Sequence, residues 1–440
     1  MPESKPHIAI LGAGPIGLEA ALAAAASGFP FTLYESAPTA AGNVRSWGHV
    51  RLFTPWEINV SPRMSRRLAA AGAEVPSGAD CPTGRELAER LLDPVAALPE
   101  IAPRLRLGTR ALAIGRLGLL KHEEISSAER GRRPFRLLLG DDSGREWTEQ
   151  ADLVFDATGT WGQPNALGDG GVPAPGERAL SAPPAEDADA NAAAPARLRR
   201  DIPDLAREAA GWAGRTVLLA GAGHSAQTAA RELAALAREA PGTRVLWVLR
   251  HTEPEWGSPP GDPLAERARL AAEAAALAGG ASPAVSARRG AVVEAVGRAN
   301  GHLAVVLRHG PNEAWRAGTG SVAGVTRTGL AGSDSAAAET VSVDRILSLT
   351  GSVGDHQLYR QLQIHECYAT CGPIKLSAAL LGAGTGDCLA QTSHGAETLT
   401  NPEPGFFILG SKSYGRNNTF LMRVGWEQVG EVFGLLEARR

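Results

Sequence analysis

His7-Ile8-Ala9-Ile10-Leu11-Gly12-Ala13-Gly14-Pro15-Ile16-Gly17 decides the reading of the fold. Its apolar residues read as a short buried strand, its glycines as a tight turn, and the Ala-rich run to about Ser27 as a helix stopped by Gly28. Phe31-Thr32-Leu33-Tyr34 follows as a second strand and ends on Glu35, 21 residues after Gly14. Strand, glycine turn, helix, strand and acid in this order predict a dinucleotide site. Gly12 permits the tight turn, Gly14 lets backbone approach a pyrophosphate, and Gly17 lets helix pack closely on strand. Pro15 and Ile16 open the helix whose amide end faces the phosphate charge, and Glu35 lies where a ribose hydroxyl needs an acceptor. The plainer alternative is a glycine-rich turn without a ligand.

The pattern returns in mid-chain. Thr216-Val217-Leu218-Leu219-Ala220 reads as a strand, Gly221-Ala222-Gly223-His224-Ser225-Ala226 as the turn, and the residues from Ser225 to about Glu239 as a helix. Gly221, Gly223, His224 and Ser225 take the phosphate-facing places, and Ala226 replaces the third glycine. The next strand, Arg244–Leu249, ends on Arg250-His251, with Arg where an acid is expected. A guanidinium there suits a 2′-phosphate, so NADP fits better than NAD; the alternative is a solvated strand end.

The chain has 440 residues, a net charge of −3, 52 Gly and four Cys. This length allows roughly two to four domains with real cores. The slightly acidic balance, without a long basic run, argues against nucleic acid or an anionic membrane surface as partner. No apolar run approaches the roughly 18 residues of a spanning helix, and the first strand begins too early for a leader. Four Cys are too few for a disulfide scaffold, so a cytoplasmic protein with reduced thiols is expected. Two low-complexity stretches, Pro173–Ala196 and Pro311–Thr340, read as an excursion and a long loop. Asp262-Pro263 reads as the start of a helix that stops at Gly279-Gly280, and Trp426–Ala438 as a terminal helix.

Leu153-Val154-Phe155-Asp156-Ala157-Thr158-Gly159 followed by Pro164, a second degenerate copy at Leu349-Thr350-Gly351, and the run Gly42-Asn43-Val44-Arg45-Ser46-Trp47 complete the pattern. With the two glycine turns, the sequence resembles the two-dinucleotide-binding-domain flavoproteins and, within them, the class B flavin-containing monooxygenases. The resemblance implies an α/β fold of two Rossmann-like domains, with an NADPH domain inserted into an FAD domain. The boundaries expected are 1–165 and 341–440 for the FAD domain, 166–211 for a linker, and 212–340 for the NADPH domain. It implies FAD and NADPH as cofactors, a small-molecule substrate and O2 as partners, a homodimer as the oligomer considered, and transfer of one oxygen atom to a soft nucleophile or carbonyl. Arg45, Trp47, Thr158 and Gly159 would lie along the flavin, as would Ser411, Asn418 and Thr419 in the polar run Ser411–Phe420. The sequence departs from the family at its identifying F-x-G-x-x-x-H: Trp212-Ala213-Gly214 lies nearby, with Leu218 in place of the His.

Three further residues are candidates for the chemistry. His49, in a loop with Trp47 and Trp56, is either near the cofactor or a satisfied core histidine. Cys367 and Cys371 precede a helix starting at Pro373; Cys371 would meet the amide end and Lys375, with Cys367 as a resolving partner. Most free Cys are small buried hydrophobes, which is the other reading. His365 and Cys388 lie close by, without the spacing of a metal site. The Cys spacing is neither the C-x-x-C nor the C-x-x-x-x-C of the flavin disulfide reductases. A thiol–disulfide or metalloid reductase using Cys371 and Cys367, and a low-turnover flavin-binding redox sensor, remain the alternative functions.

Overall fold

The computed structural model describes residues 5–125, 127–181, 197–259, 261–310, 338–382 and 392–438. The chain divides into two compact units, Met1–Gln163 with Ser352–Arg440, and Pro164–Gly351.

The first unit is built on five parallel strands in the order Phe406–Ile408, Leu153–Asp156, Ile8–Leu11, Phe31–Tyr34, Leu105–Arg106. These strands read as unbroken apolar runs because both faces are covered. Ile8, Ile10, Leu33, Phe155 and Phe407 pack on one side, with the helices Pro15–Ala26 and Met422–Ala438. Alternate residues Ala9, Leu11, Tyr34, Val154 and Phe406 face the other side, against an antiparallel sheet of Arg110–Arg116, Phe135–Gly140 and Glu146–Ala151. The terminal helix begins at Met422, four residues before the expected Trp426, and runs to Ala438.

The second unit repeats the plan. Its parallel strands lie in the order Val285–Arg289, Arg244–Leu249, Thr216–Ala220, Arg345–Ser348, Leu198–Arg199. Leu218, Leu246, Val248 and Ile346 share a core with Val293, Leu303, Val305 and Leu307 of an antiparallel sheet formed by Ala291–Ala299, His302–His309 and Ala338–Val343.

Three segment readings change. The chain does not return to the first unit at 341: Arg345–Ser348 pairs with Val217–Ala220, and the return follows Gly351. The stretch 166–211 is not a linker where it is described, because Leu167, Ala174, Leu180 and Leu198 enter the second unit's core and Leu198–Arg199 is a strand. The helix expected from Pro263 begins at Ala265, since Asp262 spends its carboxylate on the Leu264 N–H (2.9 Å) and on Arg267 (2.6 Å). The residues 182–196 and 311–337 of the low-complexity stretches lie outside the described residues.

Inside the first unit, fully buried Glu403 pairs with Arg116 (Nε–Oε1 2.6 Å) and Arg130 (Nη2–Oε2 2.8 Å) and accepts the Gln363 N–H at 2.8 Å. Arg116 also covers the Phe135 ring at 3.6 Å. Burial pulls the Arg116 pKa below its ordinary value, against the pull of Glu403. This triad anchors the segment entering strand Phe406–Ile408. Glu403→Gln leaves two buried guanidinium groups without a counter-charge and is expected to cost about 3–5 kcal/mol, read as a lower urea midpoint at unchanged m-value.

Candidate functional site

Each unit carries one glycine turn on the carboxyl end of its parallel sheet. In the first, Gly12 has φ +93°, and a Cβ there would lie 2.7 Å from the Ala157 carbonyl oxygen. A Cβ on Gly17 would overlap the Gly12 carbonyl. Around Gly14 nothing lies within 4 Å of the Cβ position, so this glycine serves no internal packing and opens the backbone outward at the helix start. Pro15 is the first helical residue, and Ile16 is buried against Gly410 and Gly425. Buried Glu35 accepts the Ala13 N–H (2.8 Å) and the Ala37 N–H (2.9 Å), bolting the turn to the chain that follows the second strand. Each carboxylate oxygen retains acceptor capacity.

The second unit shows the same three positions. Gly221 has φ +120° and abuts the Leu349 carbonyl, while Gly223 faces open space. His224 and Ser225 form the first turn of helix His224–Glu239. Burial and nearby Arg267 hold the His224 imidazole below its ordinary pKa, which favours the neutral ring. Gln227 ties the turn down by donating to the Ala222 (2.8 Å) and Trp256 (3.0 Å) carbonyls. Arg250 is exposed at the end of strand Arg244–Leu249; it donates to His251 Nε2 at 3.1 Å and has no carboxylate partner among the described residues.

The remaining first-unit candidates fall into three groups. Arg45 pairs with Asp93, and Trp47 stacks on Trp161 at 6.1 Å. Trp47 Nε1 and His49 Nε2 are buried without a hydrogen-bond partner among the described residues. Thr158 and Gly159 follow strand Leu153–Asp156, and Ser411 opens a short turn whose hydroxyl faces the Gly159 Cβ direction at 3.8 Å. Asn418 is exposed, and Thr419 donates to Asn417 Oδ1 at 2.7 Å.

A buried group holds this corner that the sequence reading missed. Lys412 Nζ donates to Asp156 Oδ2 (2.6 Å), the Asp355 carbonyl (2.9 Å) and Thr158 Oγ1 (3.1 Å). Lys412 and Asp156 are 256 residues apart in sequence, and no local pattern joins them. The available signal was one of only four Lys standing directly after an apolar strand.

Cys367 and Cys371 lie in one turn, with Cys371 N–H donating to the Cys367 carbonyl at 2.7 Å. The cation beside Cys371 is Arg416 (Nε–Sγ 3.2 Å), not Lys375, which pairs instead with Glu397 (2.5 Å). The helix begins at Ile374, one residue after the expected Pro373. Cys388 lies outside the described residues. Among the described residues no His, Cys, Asp and Glu cluster has a metal-site arrangement, and no helix is long and apolar enough to cross a membrane.

No protein-family model and no curated protein matches the chain. Solved structures do share its fold. The bacillithiol disulfide reductase of Bacillus cereus is similar over 99% of this chain and 100% of its own, at TM-score 0.62 and 16% identity. The thioredoxin reductase of T. acidophilum is similar over 100% of both chains, at TM-score 0.55 and 14% identity. The ornithine N-hydroxylase of Kutzneria sp. 744, solved with reduced FAD, NADP+ and L-ornithine, is similar over 99% of both, at TM-score 0.56 and 13% identity. The chain therefore has the two-Rossmann-domain fold of these flavoproteins.

The glycines separate into packing and open positions, which gives a sharp expectation. Gly14→Ala and Gly223→Ala should keep the melting temperature of the ligand-free protein within about 2 °C while weakening dinucleotide binding, because the new methyl occupies the phosphate approach. Gly17→Ala should instead lower the melting temperature by several degrees. Thermal unfolding paired with dinucleotide titration checks both.

Proposed function

We propose that the chain is an FAD- and NADPH-dependent oxidoreductase, and that its reaction is a monooxygenation of a small soft nucleophile or carbonyl compound. The observation that carries the cofactor assignment is the contrast between the two turns. Both present an open second glycine, but the following strand ends on a buried carboxylate, Glu35, in one unit and, in the other, on an exposed guanidinium, Arg250, with no carboxylate partner among the described residues. A carboxylate suits ribose hydroxyls, and a guanidinium suits a 2′-phosphate.

In this reading Gly12, Gly14, Pro15, Ile16, Gly17 and Glu35 hold the ADP half of FAD. Arg45, Trp47, His49, Thr158, Gly159, Ser411, Asn418 and Thr419 border its ring, where the unpartnered Trp47 Nε1 and His49 Nε2 supply polar atoms. Gly221, Gly223, His224 and Ser225 meet the phosphates of NADPH. The flavin, when bound, supplies two-electron chemistry between NADPH and O2. The protein's part is to fix the binding backbone: Lys412 and Asp156 hold the Thr158 turn from below, and Glu35 braces Ala13 and Ala37.

Oxygenation is favoured over thiol reduction by the Cys spacing, which lacks both motifs of the flavin disulfide reductases; the fold neighbours include reductases and a hydroxylase alike and do not choose between them. The test is the absorbance of purified protein before and after anaerobic NADPH, followed by O2 uptake with candidate nucleophiles. The proposal expects bleaching of a flavin spectrum and O2 consumption matched by oxygenated product. A long-wavelength charge-transfer band lost in Cys367→Ser or Cys371→Ser would select the thiol reductase instead, and the absence of NADPH-driven bleaching would select the sensor. Arg250→Ala should raise KM for NADPH by about tenfold, the worth of one charge-assisted contact, and leave KM for NADH unchanged.

A further inference from the structure

The segment Gln361–Lys375 carries two thiols that the dinucleotide sites do not use. Cys371 N–H donates to the Cys367 carbonyl (2.7 Å), and Cys367 N–H donates to the Gly372 carbonyl (2.8 Å). Such a turn holds the two α-carbons about 6 Å apart, inside the span that disulfides occupy. The two sulfurs differ in surroundings. Cys367 is buried, yet the Thr370 N–H, with the Thr370 and Ser377 hydroxyls and the Ala369 N–H, faces its sulfur and holds the thiol below its ordinary pKa. Cys371 is half-exposed and accepts from Arg416 Nε at 3.2 Å. Between them Tyr368 is 98% exposed, so solvent reaches the turn.

The turn is locked to the polar segment that begins at Ser411. Arg416 N–H donates to the Thr370 carbonyl at 2.6 Å. Gly415, with φ +58°, abuts the same carbonyl, and its Cβ position lies 2.8 Å from the Cys371 carbonyl carbon. Cys371 itself is one of four described non-glycine residues with positive φ. Any change of bonding at its sulfur therefore acts on Gly415 and Arg416.

We propose that Cys367 and Cys371 are a peroxide-oxidised thiol pair, a redox modification site read by the Gly410–Arg416 segment. The half-exposed Cys371 thiol attacks hydrogen peroxide: its sulfur gains one oxygen, the O–O bond breaks, and water leaves. The Cys367 sulfur then attacks the Cys371 sulfenic sulfur and gives up its proton, the S–S bond forms, and the hydroxyl leaves with that proton as water. One peroxide is reduced and two thiols are oxidised. Closing the disulfide takes the Cys371 sulfur away from Arg416. The site goes beyond the oxygenation reading and does not depend on it, because its readout is the mass of a peptide.

The full chain is titrated with hydrogen peroxide, quenched, alkylated and cut with trypsin, which leaves both thiols in one peptide, Gln361–Lys375. The expected result is a peptide about 2 Da lighter and unalkylated, at a peroxide dose that leaves Cys81 and Cys388 fully alkylated, and restored by dithiothreitol. In Cys367→Ser, oxidised Cys371 should be trapped as a dimedone adduct. In Arg416→Gln, oxidation should slow about fivefold as the cation beside the sulfur is lost. Two alkyl groups on Gln361–Lys375 at doses that oxidise Cys81 would overturn the proposal, as would the absence of a dimedone adduct in Cys367→Ser. An unchanged rate in Arg416→Gln would remove Arg416 from the site.

Discussion

A carbonyl oxygen pressed against a glycine α-carbon sets the geometry of both units. In the first unit it is Ala157 against Gly12, and in the second it is Leu349 against Gly221. The carbonyl belongs each time to the residue just beyond the neighbouring parallel strand, whose own N–H returns to the first strand: Ala157 to Leu11 and Leu349 to Ala220, both at 2.9 Å. With that bond in place, the first glycine can carry no side chain and must take positive φ. The chain then turns sharply enough for the second glycine to emerge on the open side at the amide end of a helix. Replacing the first glycine would press a side chain into the end of the neighbouring strand, and the turn and the pairing of two interior strands would be disturbed together.

The Thr-Gly turns that supply these carbonyls are held from below by different chemistry in the two units. In the first, the clamp is a buried ion pair: Lys412 reaches Asp156 and Thr158, while Asp156 Oδ1 accepts from the Thr158 hydroxyl at 2.6 Å. Gly354 is required beside it, because a Cβ there would overlap the Lys412 stem. In the second unit the clamp is neutral. Asn165 Nδ2 donates to the Thr350 carbonyl, and Thr350 Oγ1 donates to the Asn165 carbonyl, both at 3.0 Å. The first turn is thus held by a charged pair and the second by two neutral hydrogen bonds.

The residues legible in sequence are those whose role is set by near neighbours. The glycine turns, the strands Thr216–Ala220 and Arg244–Leu249, and Glu35 and Arg250 at their strand ends follow from spacing within about 30 residues. The groups that brace them do not. Lys412 with Asp156, and Arg116 with Glu403, join positions 256 and 287 apart. The stretch 166–211 reads as a linker because its few core residues, Leu167, Ala174, Leu180 and Leu198, are diluted by Ala, Pro and acids. Average composition records that dilution and not the burial of four side chains. Sequence proximity points to Lys375 as the cation beside Cys371, whereas Arg416 arrives from a loop 45 residues on.

The third position of the two turns differs, and the structure gives a reason. In the first unit Gly17 must stay glycine because its Cβ would fall on the Gly12 carbonyl. In the second unit Ala226 occupies the equivalent place and is fully buried, while the Gly221 carbonyl has its own partner. That carbonyl accepts a hydrogen bond from Trp247 Nε1 at 2.8 Å. The indole thereby satisfies the carbonyl of the first glycine. Trp247 is itself fully buried in the strand that ends at Arg250. A buried Trp needs an acceptor for its N–H, and the carbonyl of the first glycine provides it, so this turn is tied by a side chain to the strand that ends at Arg250.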